Sequence, residues 1–172
     1  MSATEFSVDL PDEAHTRALA ALLARVVGPG SELHLEGPLA AGKTAFARGF
    51  LHALGHRGKV KSPTFTLVES YELVPDGTSC TVHHFDLYRL EDEEELDFIG
   101  FDDYRRPDAI LLIEWPSRAA SRLSPTVVVE LAVSGPESRR ATVRLLAPEV
   151  RARAAEFELL LNSINDLAQK FS

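Results

Sequence analysis

Gly37-Pro38-Leu39-Ala40-Ala41-Gly42-Lys43-Thr44 fits the pattern G-x-x-x-x-G-K-[ST]. Ahead of it, Glu32-Leu33-His34-Leu35-Glu36 alternates apolar and polar residues, as a strand does. Behind it, Ala45 to Leu54 reads as a helix closed by Gly55. A glycine-rich turn between strand and helix aims backbone N–H groups inward and makes an anion nest at the helix N-terminus. Lys43 is then placed to reach the β- and γ-phosphates of a nucleoside triphosphate, and the Thr44 hydroxyl to ligate Mg²⁺. Four fixed positions match by chance in roughly one chain in two hundred of this length. The flanking strand and helix are what select the nucleotide-binding reading.

The 172 residues suit a single domain over 1–172, long enough to bury a sizeable core. An apolar content of 45% and a charged content of 26% are ordinary for a soluble globular protein. The apolar runs Ala109 to Ile113 and Val127 to Val129 are too short to span a bilayer, and no membrane association is expected. Met1 to Leu10 carries Glu5 and Asp9 and no basic start, so it does not read as a secretory signal. Cys80 is the single cysteine, which excludes an internal disulfide and a thiolate cluster; a cytoplasmic location is expected. The net charge of −8 argues against autonomous nucleic-acid binding. Arg48, His52, His56, Arg57, Lys59 and Lys61 nonetheless form a basic tract, and Glu91 to Asp97 an acidic run. Each reads as a solvated face.

Outward from the loop, the chain alternates strands and helices. Glu5 to Asp9 reads as a strand, and Pro11 opens a helix with Leu19, Leu22, Leu23 and Val26 on one face. Thr66 to Leu73 and Thr81 to Asp86 flank the turn Pro75-Asp76-Gly77 and predict an antiparallel hairpin. The acidic run predicts a helix of about two turns ending near Gly100. Ala109 to Ile113, continuously apolar, predicts a central parallel strand buried on both faces. Thr126 to Val133 and Ala141 to Leu146 predict a second hairpin through Gly135. Residues 148–172 predict one long C-terminal helix, with Phe157, Leu160, Leu161, Ile164, Leu167 and Phe171 on its apolar side. The fold class expected is α/β: a P-loop NTPase fold in three layers, its sheet partly parallel with antiparallel hairpins added.

Phosphoryl transfer also needs a metal-holding acid and a group that positions the nucleophile. The buried strand Ala109 to Ile113 runs into Glu114, where a Walker B acid belongs, although a strand-end carboxylate can equally face solvent. Asp86 is the second candidate, sharing a strand face with His84 while His83 points the other way. The plain alternative for Asp86 is a pair with Arg89. Ser62-Pro63-Thr64 is an extended loop bearing hydroxyls, placed where a nucleotide-sensing switch could lie or where an ordinary loop would serve. Trp115 is the sole tryptophan, either a stacking platform or a packing residue. No Asn-Lys-x-Asp guanine reader occurs, which favours adenine.

With these residues assembled, the chain resembles the TsaE family of small P-loop ATPases. The matching segments are Gly37 to Thr44, Lys61 to Glu69, His84-Phe85-Asp86-Leu87-Tyr88-Arg89-Leu90 and Ile113-Glu114-Trp115-Pro116, within Pro11 to Leu146. The resemblance implies a cytoplasmic, Mg²⁺-dependent ATPase required for N6-threonylcarbamoyladenosine formation in tRNA. It further implies work with TsaB and TsaD, contact with tRNA only through that complex, and ATP hydrolysis that resets or regulates the transfer. Carried residue by residue, it implies catalytic roles for Lys43, Asp86 and Glu114, metal contacts from Thr44 and Glu114, and a switch at Ser62, Pro63 and Thr64. For ATP or ADP it implies contacts from Gly37, Leu39, Ala40, Ala41, Gly42, Lys43, Thr44, Ala45 and Trp115. Thr16 and Ser138-Arg139-Arg140, the latter before the last strand, fall where the family surrounds the nucleoside. Ala40 departs from the glycine usual there, and negative φ is expected of it.

Two other classes remain. A small-molecule P-loop kinase would need a lid with arginines, and Arg118 and Arg122 lie in a segment too short between Pro116 and Pro125. A non-hydrolysing nucleotide-binding module would need neither Asp86 nor Glu114.

Overall fold

Strand β5, Ala109–Glu114, is buried at every position because helices or turns cover both faces of the sheet around it. The computed structural model describes the backbone of residues 3–170 and the side chains of residues 3–166. Its other strands are β1 (Thr4–Leu10), β2 (Glu32–Glu36), β3 (Val68–Leu73), β4 (Cys80–Asp86), β6 (Val127–Val133) and β7 (Arg139–Leu145). The helices are α1 (Glu13–Val26), α2 (Lys43–Ala53), α3 (Glu95–Phe98), α4 (Pro148–Arg151) and α5 (Ala154–Lys170).

The seven strands form one sheet in the order β1-β7-β6-β2-β5-β4-β3. The four strands β6, β2, β5 and β4 are mutually parallel. Antiparallel pairing adds β3 to one edge and β7 with β1 to the other. The mixed sheet follows the sequence expectation, as do both hairpins. Leu33, Leu35, Ile110 and Leu112 turn one face toward Leu19, Leu23, Phe46, Phe50 and Phe157 of α1, α2 and α5. On the opposite face Phe85, Leu111 and Ile113 pack against Leu96 of α3, Phe101 and Ala119. That third layer is made of short pieces: α3 and 3₁₀ turns at Phe101–Tyr104 and Pro116–Arg122.

Local chemistry explains the boundaries. The Asp12 side chain caps α1 by accepting the His15 N–H at 3.0 Å, while Val27, extended, ends it. Strand β2 is buried on both faces, not half exposed as its alternation suggests. Its polar pair finds partners: His34 Nε2 lies 2.7 Å from Glu32 Oε1, Ser124 N–H donates to the same oxygen at 2.9 Å, and Arg105 reaches Oε2 at 3.3 Å. Burial alone would raise the Glu32 pKa; His34, Ser124 and Arg105 together hold it below the ordinary carboxylate range.

Three expectations are corrected. The acidic run yields a single helical turn, α3: Glu91 to Glu94 form a turn ahead of it, where the Glu95 carboxylate accepts the N–H groups of Glu91 and Asp92, and left-handed Gly100 (φ 67°) follows its end. Strand β3 begins at Val68, since Leu67 is left-handed (φ 68°) and its N–H turns back to Pro63 O at 2.8 Å. The C-terminal helix is broken after Arg151, and α5 then lays Phe157, Leu161 and Ile164 onto the core, with Phe157 edge-on to Phe6 at 5.2 Å. Leu167 and Phe171, expected on that face, lie outside the described side chains.

Candidate phosphate and metal site

The parallel strands β2, β5 and β4 end side by side, and their C-terminal edge carries the loop and both candidate acids. Parallel sheets place ligands at this edge. The loop leaves β2 through Gly37, where a Cβ would stand 2.5 Å from Leu131 O; only glycine fits that approach. Gly42 (φ 100°) caps α2 with no side-chain hydrogen bond, leaving the helix's first N–H groups to a ligand. Lys43 bends back over the loop, its Nζ donating to Gly37 O and Pro38 O, each at 2.7 Å. The same ammonium lies 4.1 Å from the centre of the Trp115 ring. Burial lowers the Lys43 pKa, and the charges of Glu114 and Asp86 pull the other way.

Ala40 does not take negative φ. It sits in the left-handed region at φ 62°, a conformation costing a non-glycine residue roughly 1–2 kcal/mol. The loop turns there as a glycine would turn it, and the methyl is accepted with strain.

Asp86 and Glu114 face each other as register partners across β4 and β5, and both are buried. Glu114 Oε1 accepts from Thr44 Oγ1 at 3.3 Å, and Glu114 Oε2 lies 3.1 Å from Ser62 Oγ. Asp86 Oδ2 accepts from Ser62 Oγ and, at 3.0 Å, from Thr64 Oγ1, while Oδ1 accepts the Tyr88 N–H at 2.9 Å. Arg89 does not pair with Asp86; its guanidinium lies over the Phe65 ring, 4.3 Å from the centre. Glu114, likewise, does not face solvent. Ser62 and Thr64 thus tie the loop before β3 to both acids and, through Glu114, to Thr44.

Two carboxylates and three hydroxyls make a hard, all-oxygen donor set, which suits Mg²⁺. Among the described residues no cluster of three or more His, Cys, Asp and Glu side chains could hold a metal by itself.

His84, the first residue of the matching segment His84 to Leu90 and on one strand face with Asp86, belongs to the site. Fully buried, its Nε2 lies 3.1 Å from Glu114 Oε2, and its Nδ1 has no hydrogen-bond partner among the described residues. The signal was its i, i+2 spacing from Asp86.

The remaining candidates separate. Thr16 is buried on α1, its methyl 3.9 Å from where a Cβ on Gly42 would stand. Trp115 adopts φ 59° and packs its ring 4.9 Å from Tyr88. With Glu36, Pro38, Glu130 and Val133 it lines a cavity of about 540 Å³ beside the loop. Leu39 is exposed, and Ala41 and Ala45 follow the chain into α2. Arg139 and Arg140 lie within β7, not before it. Arg139 Nε donates to Ala41 O at 3.0 Å and Nη2 to Ala40 O at 2.9 Å. Arg140 points elsewhere, pairing with Asp9 at 2.9 Å, and Ser138 Oγ accepts from Ser134. The strand period puts neighbours on opposite faces, so both arginines could not reach the loop. Arg118 and Arg122 supply no free clamp: one lies over Tyr88 and the other pairs with Asp97.

This fold and loop define a P-loop α/β protein. Comparison with known proteins narrows the class, since the sequence profile described as "TsaE: Threonylcarbamoyl adenosine biosynthesis protein TsaE" matches residues 10–142. The chain belongs to the TsaE family. It is 51% identical over 86 residues to "tRNA threonylcarbamoyladenosine biosynthesis protein TsaE" of Haemophilus influenzae, covering 50% of this chain and 52% of that protein. The protein of the same name from Bacillus subtilis is 44% identical over 105 residues, 61% of each chain, so these matches span only about half to three fifths of those relatives. The Treponema pallidum protein of that name is 37% identical over 123 residues, 71% of this chain and 87% of its own. Among solved structures, the crystal structure of Bacillus subtilis YdiB superposes with a TM-score of 0.69 at 26% identity, covering 98% of this chain and 99% of that one.

Proposed function

We propose that this protein binds ATP with Mg²⁺ at the Gly37–Thr44 loop and hydrolyses it as an accessory to tRNA N6-threonylcarbamoyladenosine formation. The observation that carries this reading is the buried pair Asp86 and Glu114, joined through Ser62 and reaching Thr44 at the mouth of the loop. The pathway comes from family membership and from the names of the relatives. TsaB and TsaD are the proposed partners, with tRNA met only through them, and the cytoplasm is the proposed compartment. No helix among the described residues is long and apolar enough to cross a membrane.

The residues divide the work. The N–H groups at the start of α2 and the Lys43 ammonium bind phosphate oxygens, once Lys43 leaves the carbonyls of Gly37 and Pro38. Trp115, its ring 4.1 Å from the Lys43 ammonium, flanks the bound phosphates. Thr44 and Glu114 would hold Mg²⁺, which when bound neutralises charge building on the phosphates. Asp86 orients the attacking water by accepting a hydrogen bond from it, as its carboxylate accepts those of Ser62 and Thr64. His84 donates from Nε2 to Glu114 and keeps that carboxylate turned toward Thr44.

ATP turnover by the purified protein, alone and with TsaB and TsaD, tests the proposal. Slow hydrolysis that rises with the partners supports it. Fast turnover that depends on a small metabolite would instead establish a kinase.

A further inference from the structure

Arg139, at the start of β7, spends its guanidinium on backbone carbonyls. Nε donates to Ala41 O at 3.0 Å, Nη2 to Ala40 O at 2.9 Å, and Nη1 to Ser138 O at 2.8 Å and Gly135 O at 3.3 Å. Four of the five N–H donors of an arginine are thus committed. That leaves little with which to read a nucleoside directly.

The two loop carbonyls it holds belong to consecutive residues, one of them left-handed Ala40. In a planar trans peptide the C=O of one residue and the N–H of the next point in opposite directions. Drawing Ala40 O and Ala41 O toward Arg139 therefore turns the N–H groups of Ala41 and Gly42 away from it. The Ala41 N–H does run inward, to Pro38 O at 3.2 Å, the same carbonyl that Lys43 Nζ occupies. Gly42 N–H belongs to the residue that caps α2.

We propose that Arg139 is a positioning residue for phosphate binding, its planar fork closing the turn in which the Ala41 N–H donates to Pro38 O, fixing the Ala41–Gly42 peptide with its N–H toward the anion, and holding Ala40 left-handed. The proposal rests on the nucleotide reading above. It differs from a nucleoside contact in making Arg139 act through the loop. It also couples Arg139 to Ala40, because a glycine at 40 reaches that conformation without help.

Calorimetric titration of the full-length protein with MgADP tests this, in wild type, R139A, R139K, A40G and the double variants A40G/R139A and A40G/R139K. R139A should weaken MgADP binding about ten- to a hundredfold, the range for losing hydrogen bonds from a charged group. R139K should lose nearly as much, because an ammonium is a point charge and cannot fork between two carbonyls. A40G sets the reference for the double variants, and each double variant should bind several-fold tighter than its Arg139 parent. Should R139A fail to fold, R139K against A40G/R139K carries the same comparison. Wild-type affinity in R139K, or no recovery on adding A40G, overturns the proposal. A wild type that binds no MgADP overturns the nucleotide reading itself, and this proposal with it.

Discussion

Replacing Ser62 with alanine separates a switch-like loop from a static one. The Ser62 hydroxyl carries one proton and stands between two carboxylates, donating to Asp86 Oδ2 and lying 3.1 Å from Glu114 Oε2. A hydrogen bond to an ionised group contributes about 1.5–3 kcal/mol. Ser62 is half-buried and Thr64 still donates to Asp86 at 3.0 Å, so about 1–2 kcal/mol is the reasonable loss. At this chain length 1 kcal/mol moves the midpoint by roughly 2–4 °C, so the S62A protein should melt roughly 2–8 °C lower without ligand. If Mg²⁺ and ATP bind as proposed, Glu114 would meet the metal's charge in place of the Ser62 hydroxyl, which would be freed. The deficit between S62A and wild type at saturating MgATP should therefore shrink to below about 0.5 kcal/mol. Thermal melts with and without MgATP read both numbers. A deficit that persists undiminished with ligand, or no deficit without it, would refute the idea that Ser62 restrains the acids in place of the metal.

Two further outcomes follow from buried groups. E32Q should cost about 1–3 kcal/mol at pH 7, because His34 and Arg105 lose an ionised partner. The folded Glu32 carboxyl titrates below its ordinary 4.5, so its contribution is present above that pH and is lost as pH falls through the lower folded value. Denaturant unfolding at pH 7 and pH 3 should show the gap between E32Q and wild type closing in acid; a gap of constant size would contradict the assignment. At the site, H84L should raise the Mg²⁺ needed for half-maximal turnover about 10- to 100-fold, whereas H84Q, whose amide can still donate to Glu114, should restore most of it. A Mg²⁺ titration of ATPase activity at saturating ATP makes the comparison, and equal loss in both variants would make His84 a packing residue only.

Much of this molecule could be read along the chain wherever spacing itself carries the physics. Gly37 and Gly42 mark a strand-to-helix turn, the first because a Cβ would stand 2.5 Å from Leu131 O, the second because its φ of 100° favours glycine. Ala109 to Ile113 announces a central strand, since a run with no polar face has to be covered on both sides. Asp86 and Glu114 could each be placed at a strand end, but not side by side. Their meeting depends on β4 pairing parallel to β5 in one register, which only tertiary structure sets. The buried Glu32 and His34 pair was hidden for the same reason, its partners Arg105 and Ser124 lying far along the chain. Arg139 and Arg140 looked alike as adjacent arginines, yet strand alternation sends one to the loop and the other to Asp9. Ala40 misled because local preference forbids what the surrounding contacts impose.

The central claim is that Asp86 and Glu114 carry ATP hydrolysis at a site where Lys43 binds the phosphates. Turnover and ATP affinity of D86A, E114A and K43A, each measured beside wild type with TsaB and TsaD present, test it most directly. The account predicts that D86A and E114A keep binding ATP while turnover falls at least about a hundredfold, the scale for removing a transition-state contact. Wild-type turnover in both D86A and E114A, with binding lost only in K43A, would contradict it.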